Sequence, residues 1–243
     1  MKNLVLFGIF VLFLVAVQFA SGQTVDEIIE KHIRAKGGFD KLDAIQNIYM
    51  EGMITLMGIT SFIKIATVRN ELNPVGFNQQ WQLTDQEKNS EASEHIFTNT
   101  TLLSEVMSAM QTDTDIAKPL INYVAKGHTV VLIGKEVIDG VTCYKLKLTT
   151  KEGNVIYYWI NKDDFLIIQS SFENSETGVV KNESILTRYN NYKVADGILF
   201  AHSIEIQINR LRGNSTVAIS CSKVEINQLV ESKFLNQNQY NQS

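Results

Sequence analysis

The sequence predicts a mainly β protein with some helix: a curved antiparallel sheet, or incomplete β-barrel, with short helices covering its concave face. Three observations carry that expectation. Val130–Val137, Thr142–Thr149 and Val155–Ile160 are rich in β-branched and aromatic residues and are separated by Asp139-Gly140 and Glu152-Gly153-Asn154, residues suited to the positive φ angles of tight hairpins. In the middle stretch Tyr144, Leu146 and Leu148 alternate with Lys145, Lys147 and Thr149, which gives one apolar and one solvated face. Along the whole chain about ten such stretches follow one another through short turns, too many to lie flat without curling.

The elements follow in order. Lys2, the apolar run Leu4–Val17 and the small residues Ala20-Ser21-Gly22 have the pattern of a secretory signal, so residues 1–22 are expected to be removed and the mature chain to begin at Gln23. As a helix, Leu4–Val17 rises only about 21 Å at ~1.5 Å per residue, short of a ~30 Å hydrocarbon core. No cysteine follows the cleavage point to take a lipid. Thr24 and Glu27 then form a capping box for a helix whose stripe is Ile28, Ile29, His32 and Ile33 and whose end is Gly37-Gly38; a short second turn covers Asp40–Ala44. Ile48–Leu56, Phe62–Arg69 and Val75–Leu83 read as strands, and Thr84–Glu94 as a loop. From Thr101 the period becomes helical, through Leu102, Leu103, Val106, Met107 and Met110, then Ile116, Leu120, Ile121 and Val124, with Pro119 perturbing the second segment. After the three central strands come Phe165–Phe172, Glu183–Val194, Leu199–Ile208 and Thr216–Ile226, separated by turns that include Asp196-Gly197. Residues 23–235 suit a single domain, and 236–243 form a polar tail.

Composition excludes some functions. A formal net charge of −4 offers no basic face for nucleic acid. Cys143 shares a face with Lys145, whereas Cys221 is in register with Val217 and Ile219, so a disulfide is not expected unless a bulge reverses the register. His32, His95, His128 and His202 are dispersed without ligand spacing, so no metal and no cofactor are indicated. No nucleophile elbow, Walker loop or dinucleotide fingerprint is present, and alternation sends His202 and Ser203 to opposite faces. Sequons stand at Asn99, Asn182, Asn214 and Asn241.

The runs PLINYVAKGHTVVLIGKEVIDGVTCYKLKLT, YYWINKDDFLI and YKVADGILFAHSIEIQIN, with the helical start TVDEIIEKHIRAKGG, resemble the outer membrane lipoprotein-sorting protein family, related to the LolA and LolB carriers. The resemblance spans most of the chain and rests on turns and alternating strands. It implies an open barrel whose apolar hollow receives acyl chains of a lipoprotein or lipid in the periplasm, acting as a monomeric carrier or chaperone with an outer-membrane acceptor as a further partner. The sequence departs from those carriers at the arginine that organises their lid: Arg69, which ends the second strand, is not matched to it and no other residue is a better candidate, so their gating mechanism is not carried over. The alternatives are an envelope interaction module with a filled interior and, last, a secreted hydrolase. A curled sheet leaves an apolar concavity to be filled. Met50, Ile54, Ile65, Trp81, Leu103, Met107, Met110 and Trp159 are expected on or over it, the two inserted helices serving as a lid.

Overall fold

Ten strands make one antiparallel sheet in the computed structural model, which describes residues 23–69, 77–84, 120–173, 184–209 and 213–228. The signal segment, the polar tail, His95 and the helix expected over Leu102–Met110 lie outside those residues. Strands β1 (Asn47–Leu56), β2 (Ile59–Arg69) and β3 (Phe77–Thr84) form one meander. The second comprises β4 (Thr129–Ile138), β5 (Val141–Thr149), β6 (Val155–Asn161), β7 (Ile167–Glu173), β8 (Ser184–Ala195), β9 (Ile198–Asn209) and β10 (Ser215–Ile226). Across the sheet the order is β3-β2-β1-β10-β9-β8-β7-β6-β5-β4. Every neighbour is therefore a neighbour in sequence except β1 and β10, whose pairing joins the two meanders. The edges β3 and β4 do not pair with each other, so the curved sheet stays open, as expected from its strand count.

Local chemistry sets the turns. Asp139 and Gly140 have φ of +49° and +83°, and Asp196 and Gly197 have +48° and +76°. Positive φ at both central residues matches the right-handed twist of the strands they join. Phe165 also takes a positive φ, +59°, and its N–H donates to the Asn161 carbonyl, so β7 starts at Ile167 and not at Phe165. Residues 120–127 wind as successive turns, with Asn122 at φ +52°, and do not continue a helix to Val124. Gly52 sits where β10 carries an extra residue opposite β1, and a Cβ there would lie 2.2 Å from the Ser220 carbonyl oxygen. Only glycine allows that approach.

Two helices pack on one face, here called inner. Helix α1 (Val25–Lys36) has the expected capping box: Thr24 Oγ1 accepts from the Glu27 N–H at 3.2 Å and Glu27 Oε2 accepts from the Thr24 N–H at 3.1 Å. It ends at Gly37, φ +132°, where a Cβ would lie 2.6 Å from the Gly197 carbonyl oxygen, so the helix end is fitted against the β8–β9 turn. Helix α2 (Phe39–Asp43) follows, and the Arg69 guanidinium donates to the Ile45 carbonyl at 3.0 Å and to the Asp43 carbonyl, tying the end of β2 to α2. The inner face divides into two apolar clusters. One gathers β1, β2, β9 and β10 around Ile54, Ile63, Ile206 and Val217; the other gathers α1, β5 and β6 around Ile28, Leu146, Leu148 and Ile160. Ile33 packs against both, so α1 lies over the seam.

Candidate functional site

One flank of α1 forms a wall of an open hollow. Ile29 and Ile33, one turn apart, face Leu120, Tyr123 and Val124 of the turns that precede β4, and Phe39 of α2 closes one end. The hollow has a volume of about 560 Å³ and almost entirely apolar walls. Ligand pockets fall at roughly 300–1,000 Å³. Two rim residues expose apolar surface to solvent, Phe39 at 43 % and Val124 at 70 %. Asp26 and Glu30 line the polar lip, and the Tyr123 hydroxyl donates to Asp26 Oδ1 at 2.8 Å, a bond that, with burial and the carboxylate charge, raises the phenol pKa above its usual 10.0. That bond clips α1 to the 120–127 turns at one edge of the hollow.

Beneath α1 the inner face is apolar with a few paired polar groups. Tyr144, Leu146 and Leu148 of β5 stand opposite Ile160, Tyr158 and Ile156 of β6. Ser170 and Tyr189 share a buried hydrogen bond of 2.9 Å between β7 and β8. His32, on the buried stripe of α1, donates from Nδ1 to the Phe165 carbonyl at 2.8 Å. A carbonyl only accepts, so Nδ1 carries the proton and Nε2 is a lone-pair acceptor. Burial, then the Lys36 charge, hold this imidazole's pKa down at about 4 against the pull of the carbonyl. Lys36, one turn further on, is half-buried, with Nζ 5.3 Å from the Phe200 ring centroid and 5.8 Å from that of Tyr192; burial lowers its pKa to about 8.

Four of the residues expected at a cavity occupy the inner face at the β1–β3 end. Met50 stands opposite Val224 of β10 on one side and Ile65 of β2 on the other, and Ile65 stands opposite Trp81 of β3. The row is continuous across four strands. Met50, Ile54 and Ile65 are buried at 4 %, 0 % and 1 % exposure, and Trp81 packs half-buried against the same cluster. Leu103, Met107 and Met110 lie outside the described residues. The placement of Trp159 is corrected. It pairs with Lys145 on the outer face, where its Nε1–H donates to Glu136 Oε2 at 2.7 Å and the Lys145 ammonium sits 4.8 Å from its ring centroid. Lys145 also pairs with Glu136 at 3.1 Å, and the Trp159 and Lys145 bonds lower the pKa of that carboxylate. The stretch Ile156–Ile160 is apolar on both faces, so alternation within it does not reveal which side Trp159 takes.

The dispersed histidines fill local roles. The His202 ring Nδ1 donates to the Phe200 carbonyl at 3.1 Å, and Ser203 faces the other side in register with Ser220. His128 Nδ1 accepts from the Lys151 N–H at 3.0 Å. Among the described residues no three His, Cys, Asp or Glu side chains cluster as a metal site. The hollow's walls were only partly visible in the sequence. Ile29 and Ile33 belonged to the helical stripe, but their partners Leu120, Tyr123 and Val124 come from far along the chain, and exposed Phe39 directly after Gly37-Gly38 was the available signal.

A family model described only as that of an uncharacterised protein matches residues 110–241. No curated protein matches the sequence. Among solved structures, a DUF1329 family protein from Desulfovibrio piger is 16 % identical, with a TM-score of 0.53 over 88 % of this chain and 98 % of that one; the two share a fold. A domain assigned as an outer membrane lipoprotein-sorting protein from Vibrio parahaemolyticus is 11 % identical, with a TM-score of 0.48 over 88 % of this chain and 96 % of that one. A LolA superfamily protein from Nitrosomonas europaea is 14 % identical, with a TM-score of 0.46 over 88 % of this chain and 98 % of that one.

Proposed function

We propose that this chain, which belongs to the uncharacterised family whose model matches residues 110–241, is a carrier or chaperone that holds acyl chains of a lipoprotein or lipid in the periplasm. The observation that carries the reading is the open apolar hollow of about 560 Å³ between α1, Phe39 and the 120–127 turns. It adjoins the apolar inner face of an unclosed sheet, and its rim residues Phe39 and Val124 expose apolar surface where a chain enters. The sequence resemblance to lipoprotein-sorting proteins points the same way. Each methylene transferred from water contributes about 0.8 kcal/mol, so a chain of about ten gains roughly 8 kcal/mol before ordering costs, which sets a ceiling near micromolar affinity. Such a carrier acts by sheltering its cargo and needs no reacting group; a secreted signal and delivery to an outer-membrane acceptor belong to the same proposal.

A second reading, a non-enzymatic envelope interaction module, is favoured by the near-complete burial of Met50, Ile54 and Ile65, which fill the inner face at the β1–β3 end with side chains. One experiment separates the two. The purified protein is extracted for copurified lipid, and a fluorescent acyl probe is titrated against wild type and Val124→Asp. Val124 is largely exposed, so the substitution leaves folding intact while placing a charge at the hollow's mouth. Micromolar binding by wild type, weakened about tenfold or more in the variant, supports the carrier. No copurified lipid together with no probe binding supports the module.

A further inference from the structure

Lys36 is a half-buried cation at the C-terminal end of α1. Its ammonium lies over the faces of Phe200 and Tyr192, held from below by the inner end of the β8–β9 hairpin, and among the described residues no carboxylate pairs with it. The C-terminal end of α1 and the two ring faces attract a cation, but each supplies only partial negative charge. Its low pKa comes from burial alone, a cost that an arriving anion relieves. One turn earlier on the same stripe, His32 is 1 % exposed, and its Nε2 meets no hydrogen-bonding group of the protein among the described residues. Buried polar atoms are rarely left so. The two side chains are close enough for the Lys36 charge to oppose protonation of the imidazole. Nearby polar groups do not compete for a ligand: His32 Nδ1 is engaged by the Phe165 carbonyl and the Tyr192 hydroxyl donates to the Ile167 carbonyl at 2.7 Å.

Resting on the carrier reading, we propose that the cargo is anionic and that its carboxylate or phosphate head is held at the C-terminal end of α1 by the Lys36 ammonium, with His32 Nε2 taking a hydrogen bond from the head's hydroxyl or from a water bound to it. Lys36 follows Ile33, a wall of the hollow, by one turn of α1, so the head site stands at the helix end beside the hollow's apolar lining. This orders the cargo: head beside the β8–β9 turn, chain along α1.

The test is competition against a fluorescent acyl probe at about pH 7, where an alkyl carboxylate is ionised. Dodecanoate, dodecyl phosphate and uncharged dodecanol are compared on wild type, Lys36→Met and Lys36→Arg, and butyrate reports a head without a chain. Wild type should prefer the two anions over dodecanol by about tenfold or more, as a charge-assisted hydrogen bond implies. Lys36→Met should lose that preference while binding dodecanol as before, and Lys36→Arg should keep it. Which anion binds more tightly separates a fatty carboxylate from a phospholipid-type head. Equal displacement by dodecanoate and dodecanol on wild type, or a preference that survives in Lys36→Met, overturns the head site and leaves the carrier standing. Failure of the acyl probe and of every dodecyl ligand to bind overturns both.

Discussion

His32 shows how one buried side chain gives the molecule a pH dependence. Its imidazole titrates near 6.5 when unfolded and near 4 when folded, so between those values the unfolded chain binds the extra proton. Stability therefore falls as pH drops from 6.5 to 4, by at most about 3 kcal/mol from this group, and the contribution is flat below that window. Denaturant melts at successive pH values should show the fall, and His32→Gln should flatten it; an unchanged slope in the variant would assign the acid sensitivity elsewhere. The cysteines make the opposite case. Cys143 and Cys221 are free, buried and on opposite faces of strands separated by four others, and burial first, aided at Cys143 by Asp164 and Glu136, raises each thiol's pKa to about 11. Reductant should leave the melting temperature where it is, whereas loss of a native disulfide costs about 2–5 kcal/mol. Their separation by face was legible from alternation alone, because Cys143 is in phase with Lys145 and Cys221 with Val217. Trp159 was not legible that way, since its strand is apolar on both sides and only the pairing with Lys145 decides its face.

Elements were legible where their causes are local. The capping box at Thr24 and Glu27 and the hairpins at Asp139-Gly140 and Asp196-Gly197 are written in adjacent residues, and each stands as expected. Thr24→Ala should lower stability by about 1 kcal/mol, read as a shift in the denaturant midpoint without a change of slope. No shift would mean that tertiary packing, and not the cap, holds the helix start. Leu146, fully buried between α1 and the central strands, should cost about 2–5 kcal/mol on substitution by alanine. The β1–β10 pairing had no local sign, because it joins residues nearly the whole described chain apart. The start of β7 was misread for a related reason: Phe165 is apolar enough for a strand, yet its positive φ belongs to the turn that gives His32 its carbonyl.

At the scale of the whole molecule, an open sheet is a compromise between curling and closure. Ten sequential strands curl, but β3 and β4 stay unpaired, and α1 covers the seam between two apolar clusters and is not sealed within one core. The strand count made this architecture legible in the sequence, while the hollow along α1 depended on Leu120, Tyr123 and Val124 reaching back to the first helix. The central claim, that this hollow takes an acyl chain, is tested most directly by titrating a fluorescent acyl probe against wild type and against Val124→Trp, which fills the mouth without introducing charge. Saturable micromolar binding to wild type that weakens about tenfold or more in the variant, at unchanged melting temperature, is the predicted result. Identical binding by the two proteins, or none by wild type, would contradict it.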